Sequence, residues 1–185
     1  MIKRALLFWI LVGSSLKVIA QQVEQPLQKN TLFLELGGNG MFYSLNYDRI
    51  LLDRSPWKLS GRMGGMYFPG LGEANRHLIG LPLEISYLRG KNNHHLEIGF
   101  GFTPIYDTYP GINYQGEDYQ RQDLAVMGVA RIGYRYQKRE GGLFFKTGFT
   151  PLLGTVYNLR ERAQGRAERF SYPLVGLAFG YTLKK

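Results

Sequence analysis

Along most of this chain, apolar and polar residues exchange places at every step. Between residues 77 and 89, Ile79, Leu81, Leu83, Ile85 and Tyr87 fall on one set of alternate positions and Gly80, Pro82, Glu84 and Ser86 on the other. A period of two belongs to the β-strand, whose successive side chains point to opposite faces. Turn-forming clusters divide the chain into about eight such stretches, near residues 31–38, 41–52, 56–68, 77–89, 94–106, 122–137, 142–153 and 173–184. Most approach the ~9–11 residues that carry a tilted strand across a bilayer. After the first twenty residues no segment is apolar enough for a membrane helix, and only helices and closed barrels satisfy their backbone groups in lipid. The pattern predicts an all-β fold, an eight-stranded antiparallel up-and-down transmembrane β-barrel.

The connections alternate in length. With the first strand running outward, Leu52 to Ser55, Gly90 to Asn93 and Lys138 to Gly141 are short, whereas Pro69 to Arg76, Asp107 to Arg121 and Gly154 to Tyr172 are longer. Short periplasmic turns and long outside loops are the outer-membrane arrangement. The turn at Gly37-Gly38-Asn39-Gly40 is the short outside exception. Pro69, Pro104 and Pro151 are expected at the ends of outward strands, near the rim, because proline gives no donor to the ladder. Pro82, inside the fourth stretch, predicts a bulge.

One face of the stretches is apolar: Leu32, Leu34, Leu36, Leu45, Met63, Ile98, Phe100, Ile132, Phe149, Val175 and Phe179 are examples. A charge at mid-bilayer on that face would cost ~2–4 kcal/mol, and almost none occurs. Tyrosines and Trp57 gather toward the strand ends, as two aromatic girdles would. The other face carries Glu35, Asp48, Lys58, Arg62, Glu84, His95, Glu97, Arg131, Arg135 and Lys146 among glycines. An eight-stranded interior is filled by side chains, so these charges are expected to pair across strands, Glu84 with Arg62 and Glu97 with Arg131. Such a cluster also fits a catalytic or proton-carrying site.

Met1 is followed by Lys3-Arg4, the apolar run Ala5 to Val12, and small residues ending Val18-Ile19-Ala20. This order reads as a cleaved export signal, since the run is too short to span a bilayer. The expected organisation is a signal at 1–20, a short periplasmic segment at 21–30 and a barrel domain at 31–185. The chain has 23 Lys+Arg against 14 Asp+Glu; without Lys3, Arg4 and Lys17 the excess is +6. The charges are scattered rather than gathered on a helix, which points to anionic lipid and away from nucleic acid. With no Cys, disulfides and thiol chemistry are excluded. No spacing of ligands or glycines suggests a metal, nucleotide or haem, so no cofactor is expected.

The C-terminal run Gly176-Leu177-Ala178-Phe179-Gly180-Tyr181-Thr182-Leu183 is similar to the signal by which the outer-membrane insertion machinery recognises barrels. Together with Leu34-Glu35-Leu36-Gly37, Leu96-Glu97-Ile98-Gly99-Phe100-Gly101 and Gly133-Tyr134-Arg135-Tyr136, it makes the chain resemble small outer-membrane β-barrel proteins of Gram-negative bacteria, of OmpA/OmpX-like architecture. The resemblance implies residence in the cell outer membrane and carries over no catalytic residue. It leaves several functions open. The first is a structural or loop-presenting binding protein of the envelope, with lipopolysaccharide and an unidentified protein as partners. Arg160, Arg162, Arg166 and Arg169 are the candidate phosphate contacts of its last outside loop, or else a merely solvated loop. The alternatives are a lipid A-modifying enzyme, a narrow porin-like path, and an exported lipocalin-like barrel whose apolar face would line a ligand cavity.

Overall fold

A computed structural model describes residues 28–70, 76–112, 115–158 and 168–184. The expected export signal lies outside the described residues, as do Arg160, Arg162 and Arg166. Nine antiparallel strands follow one another: β1 Asn30–Gly37, β2 Tyr43–Arg54, β3 Trp57–Pro69, β4 His77–Gly80, β5 Leu83–Lys91, β6 His94–Ile112, β7 Asp118–Gln137, β8 Gly142–Asn158 and β9 Glu168–Thr182. There is no α-helix among the described residues. Except for β4 and β5, strands consecutive along the chain pair with one another, and β1 pairs with β9, with Leu34 opposite Phe179. The ladder thus returns to its start as a ring, an arrangement that leaves no open edge to be satisfied.

The stretch expected as one bulged strand over 77–89 is split instead. Both β4 and β5 lie between β3 and β6, so nine strands make a ring of eight staves. Pro82 causes the break because it has no N–H to give. The wall is still stitched there: the Gly64 N–H donates to the Pro82 carbonyl at 2.8 Å and the Leu81 N–H to the Pro104 carbonyl at 3.1 Å.

The long strands run further than their sequence suggests. β6 and β7 remain paired from His94–Tyr136 to Ile112–Asp118, so most of the loop expected over 107–121 is ladder. Pro104 and Pro151 consequently lie inside strands rather than at their ends, which corrects the rim expectation for both. The physical reason is local for Pro151. The β7–β8 pairing is interrupted between Val129–Leu152 and Ile132–Phe149 without a change of register, and Pro151 falls in that gap. Its partner Pro173 lies above the point where β1 has ended, since the last β1–β9 pair is Gly37–Gly176. Both prolines therefore stand where a missing donor harms the ladder least.

The opposite end has the tight turns at Ser55–Pro56, Asn92–Asn93 and Lys138–Gly141. At the first turn of the long-loop end, Gly37 and Gly38 adopt φ of 69° and 63°, a region open chiefly to glycine. A Cβ on Gly37 would stand 2.5 Å from the Val175 carbonyl oxygen. These two residues bend a single 3-10 turn, Gly38–Gly40, into the interior, where Asn39 is fully buried.

Candidate functional site: an ionic layer sealed inside the ring

Alternation along each strand delivers the charged residues to the interior, and the glycines between them give the long side chains room. At mid-height Arg131 spans the ring. Its Nε donates to Glu84 at 2.9 Å and its Nη2 to Glu35 at 2.7 Å. Arg62 holds the same two carboxylates from the other side, Glu84 at 3.2 Å and Glu35 at shorter range, while its Nε donates to Asn46 at 3.0 Å. Lys146 binds Glu97 at 3.1 Å and approaches Glu84 at 3.7 Å. All six side chains are buried, three carboxylates against three cations. A buried charge without a partner would cost several kcal/mol, so neutrality of this layer is a condition of folding.

The expected contact of Glu97 with Arg131 is not made. Register places Glu97 opposite Gly133 and Arg131 opposite Gly99, and Arg131 is turned to Glu35 and Glu84, leaving Glu97 to Lys146. Aromatic rings insulate the layer from below. Phe33 has the Arg62 guanidinium 5.2 Å and the Lys146 ammonium 5.1 Å from its centroid, and it packs on Phe144 at 5.1 Å.

Nearer the short-turn end, Arg135 donates to both oxygens of Asp48, at 2.6 and 3.1 Å, and to Ser60 and Gln137. Lys58, also buried, meets Asp53 at 3.4 Å. Above the ionic layer Asn39 donates to Glu84 at 3.4 Å, and Thr103 donates to the Asn39 carbonyl at 3.1 Å. Over this seal lies a wholly apolar cluster of Ile105, Met127, Val129 and Leu152. Sequence reasoning missed both the inward turn and the apolar layer. The signals were present in Gly37-Gly38-Asn39-Gly40 and in Met127 and Val129 at inward positions of β7.

The outer wall is apolar and exposed. Leu45, Phe100 and Val175 keep 65%, 68% and 62% of their surface accessible. A groove of about 790 Å³ opens in that wall beside the β4–β5 break, lined by Leu34, Leu45, Leu81 and Pro104 among others. Two histidine–tyrosine pairs flank the belt: the Tyr67 hydroxyl with His77 Nδ1 at 2.9 Å, and the Tyr134 hydroxyl with His94 Nδ1 at 2.6 Å. Beyond the belt, Tyr109 lies between the guanidinium groups of Arg76 and Arg121, 5.5 and 5.8 Å from its centroid. Its hydroxyl donates to Asp123 at 2.7 Å. Partial burial and that carboxylate push the Tyr109 phenol up to about 12. Of the four loop arginines, Arg169 alone falls in a described strand, its backbone paired with Thr155.

Chemically, the interior offers paired charges and a closed path. Every carboxylate of the mid layer is bound to cations, so none is placed to act as a free base. No family model, curated protein or solved structure matches the chain.

Proposed function

We propose that the chain is a transmembrane β-barrel of the bacterial outer membrane whose sealed interior serves stability, and that its role is structural or loop-presenting rather than enzymatic. The observation that carries this reading is the polarity of the ring: an ionic interior inside a continuous exposed apolar wall. Contiguous apolar surface of this extent is an aggregation liability in water and a suitable surface in hydrocarbon. A lipocalin-like carrier would need the reverse facing, with an apolar cavity on the axis.

The height of the wall supports the same reading. From His94 to Thr108, the residue opposite His77, β6 advances fourteen residues. At ~3.3 Å per residue and a tilt near 40°, that separates the two histidine–tyrosine pairs by roughly 35 Å along the axis. Hydrocarbon of ~30 Å fits between them, with the aromatic pairs at the two interfaces. The groove at the strand break then faces lipid tails. Lipopolysaccharide and the insertion machinery are the partners this reading implies. The enzymatic alternative needs a serine activated by a wall histidine, whereas His77 Nδ1 is engaged by the Tyr67 hydroxyl.

Membrane fractionation tests the proposal directly. The protein is expected in the outer-membrane fraction, running faster unboiled than boiled on a detergent gel; a soluble protein without that shift overturns it. Phe100→Arg, at the most exposed mid-wall position named above, is expected to cost about 2–4 kcal/mol in lipid vesicles.

A further inference from the structure

We propose that the short-turn end of the lumen holds a small inorganic anion, of the charge and size of chloride, between the Lys58 ammonium and the His95 imidazole. His95 is 2% exposed, and neither ring nitrogen has a hydrogen-bond partner. The two other histidines differ, since His77 and His94 each engage a tyrosine hydroxyl. A buried imidazole with two idle nitrogens calls for an occupant, because nearly all buried polar atoms in folded proteins are satisfied.

The surroundings decide what kind of occupant. His95 projects inward from β6, opposite Arg135 on β7 and Gly90 on β5. Gly90 brings no side chain to the imidazole, and the backbones of β5 and β6 approach closely there, since a Cβ on Gly90 would stand 2.0 Å from the His94 carbonyl oxygen. Lys58 comes inward from β3 on the far side of β5, opposite Leu88. The charges acting on the His95 ring are Lys58, Arg135 and Arg139 on one side of the balance and Asp53 on the other.

The carboxylates of this pocket already have cationic partners. Both oxygens of Asp48 receive bonds from Arg135, and Asp53 is partly solvated and holds Lys58 at only 3.4 Å. Two fully buried cations, Lys58 and Arg135, therefore stand against one fully buried carboxylate, Asp48. Ile50 and Leu88, each 0% exposed, line the same region and lower the local dielectric. Lys58 and Arg135 make the place positive in potential, so an anion there would accept from the Lys58 ammonium and from the one N–H of the His95 imidazole. The site does not depend on what surrounds the outer wall, so its failure and that of the membrane reading are separable.

Folded protein with ¹⁵N-labelled histidine, titrated with chloride against gluconate at constant ionic strength, tests the site. The His95 ring signals are expected to shift and saturate while those of His77 and His94 stay fixed. Lys58→Gln is expected to raise half-saturation about tenfold by removing one charge-assisted bond. Where that variant does not fold, wild-type crystals soaked in bromide give the second measurement, with an anomalous peak expected between Lys58 Nζ and the His95 ring. A linear or absent response, a response unchanged in folded Lys58→Gln, or a water in place of bromide overturns the proposal.

Discussion

At mid-height the inward positions of β1, β3, β5, β7 and β8 carry Glu35, Arg62, Glu84, Arg131 and Lys146, and toward the long-loop end those of β6, β7 and β8 carry Ile105, Met127, Val129 and Leu152. Both layers fill the same cylinder from the same alternation, yet they respond differently to loss. The apolar layer is held by area and shape, so a deleted side chain leaves a hole that its neighbours partly close. The ionic layer is held by matched charge at long reach, and one deletion strands several partners at once. The ionic layer fixes which residue stands at which height, whereas the apolar layer mainly excludes water.

Glu84→Gln should separate the two layers most sharply. Glu84 receives Arg62, Arg131 and Lys146, and its neutralisation leaves three buried cations facing two carboxylates. A loss of about 3–5 kcal/mol is expected, read as a fall in the urea midpoint of refolding into vesicles. Leu152→Ala in the apolar layer should cost roughly 2–3 kcal/mol in the same measurement, the low end for a buried leucine. The partly buried Met41, Leu78 and Leu174 beside it can settle into the space. A larger loss for Leu152→Ala than for Glu84→Gln would reverse the ranking of the two layers.

The two layers were also unequally legible in the sequence. Period-two alternation was enough to place Leu34, Phe100 and Val175 on one face and Glu35, Arg62 and Glu84 on the other, because strand geometry converts parity directly into facing. Contact with Arg62 could be anticipated for Glu84, since β3 and β5 are neighbours and the two residues stand in register. Glu97 was harder. Its partner Lys146 projects from β8, two strands away, and the stagger of the ring, which no local pattern reveals, brings it within reach. The apolar layer went unseen although Ile105 and Met127 lie within the stretches expected over 94–106 and 122–137, because an apolar residue on the inward parity does not by itself announce a layer that only the closed ring assembles.

Removing charge in pairs sharpens the contrast. With Glu97→Gln and Lys146→Met combined, the layer keeps Glu35 and Glu84 against Arg62 and Arg131, and neutrality is restored. The double variant is expected within about 1.5 kcal/mol of the parent, less than either single change, because replacing a buried pair by groups of similar volume is often nearly neutral. A double-mutant cycle measures this; additive losses would mean that packing, and not charge balance, holds the mid layer.

The smallest effect is expected beyond both layers, where charges pair again but reach water. Arg76 meets Asp107 at 2.9 Å with its side chain 37% exposed, and an exposed pair of this kind contributes little. Titration is more informative here than stability. The Tyr109 phenol is raised to about 12 by partial burial and by its bond to Asp123. A pKa higher in the folded than in the unfolded chain adds stability that is complete below the ordinary tyrosine value near 10 and is lost as pH rises through 12. Asp123→Asn should move the phenol back toward 10 and flatten that alkaline loss, measured as the ultraviolet difference titration against Tyr109→Phe. An unmoved phenol would mean that burial between the Arg76 and Arg121 guanidiniums, rather than the carboxylate, sets its proton. The exposed end of the molecule would then follow the apolar layer's rule and not the ionic one's.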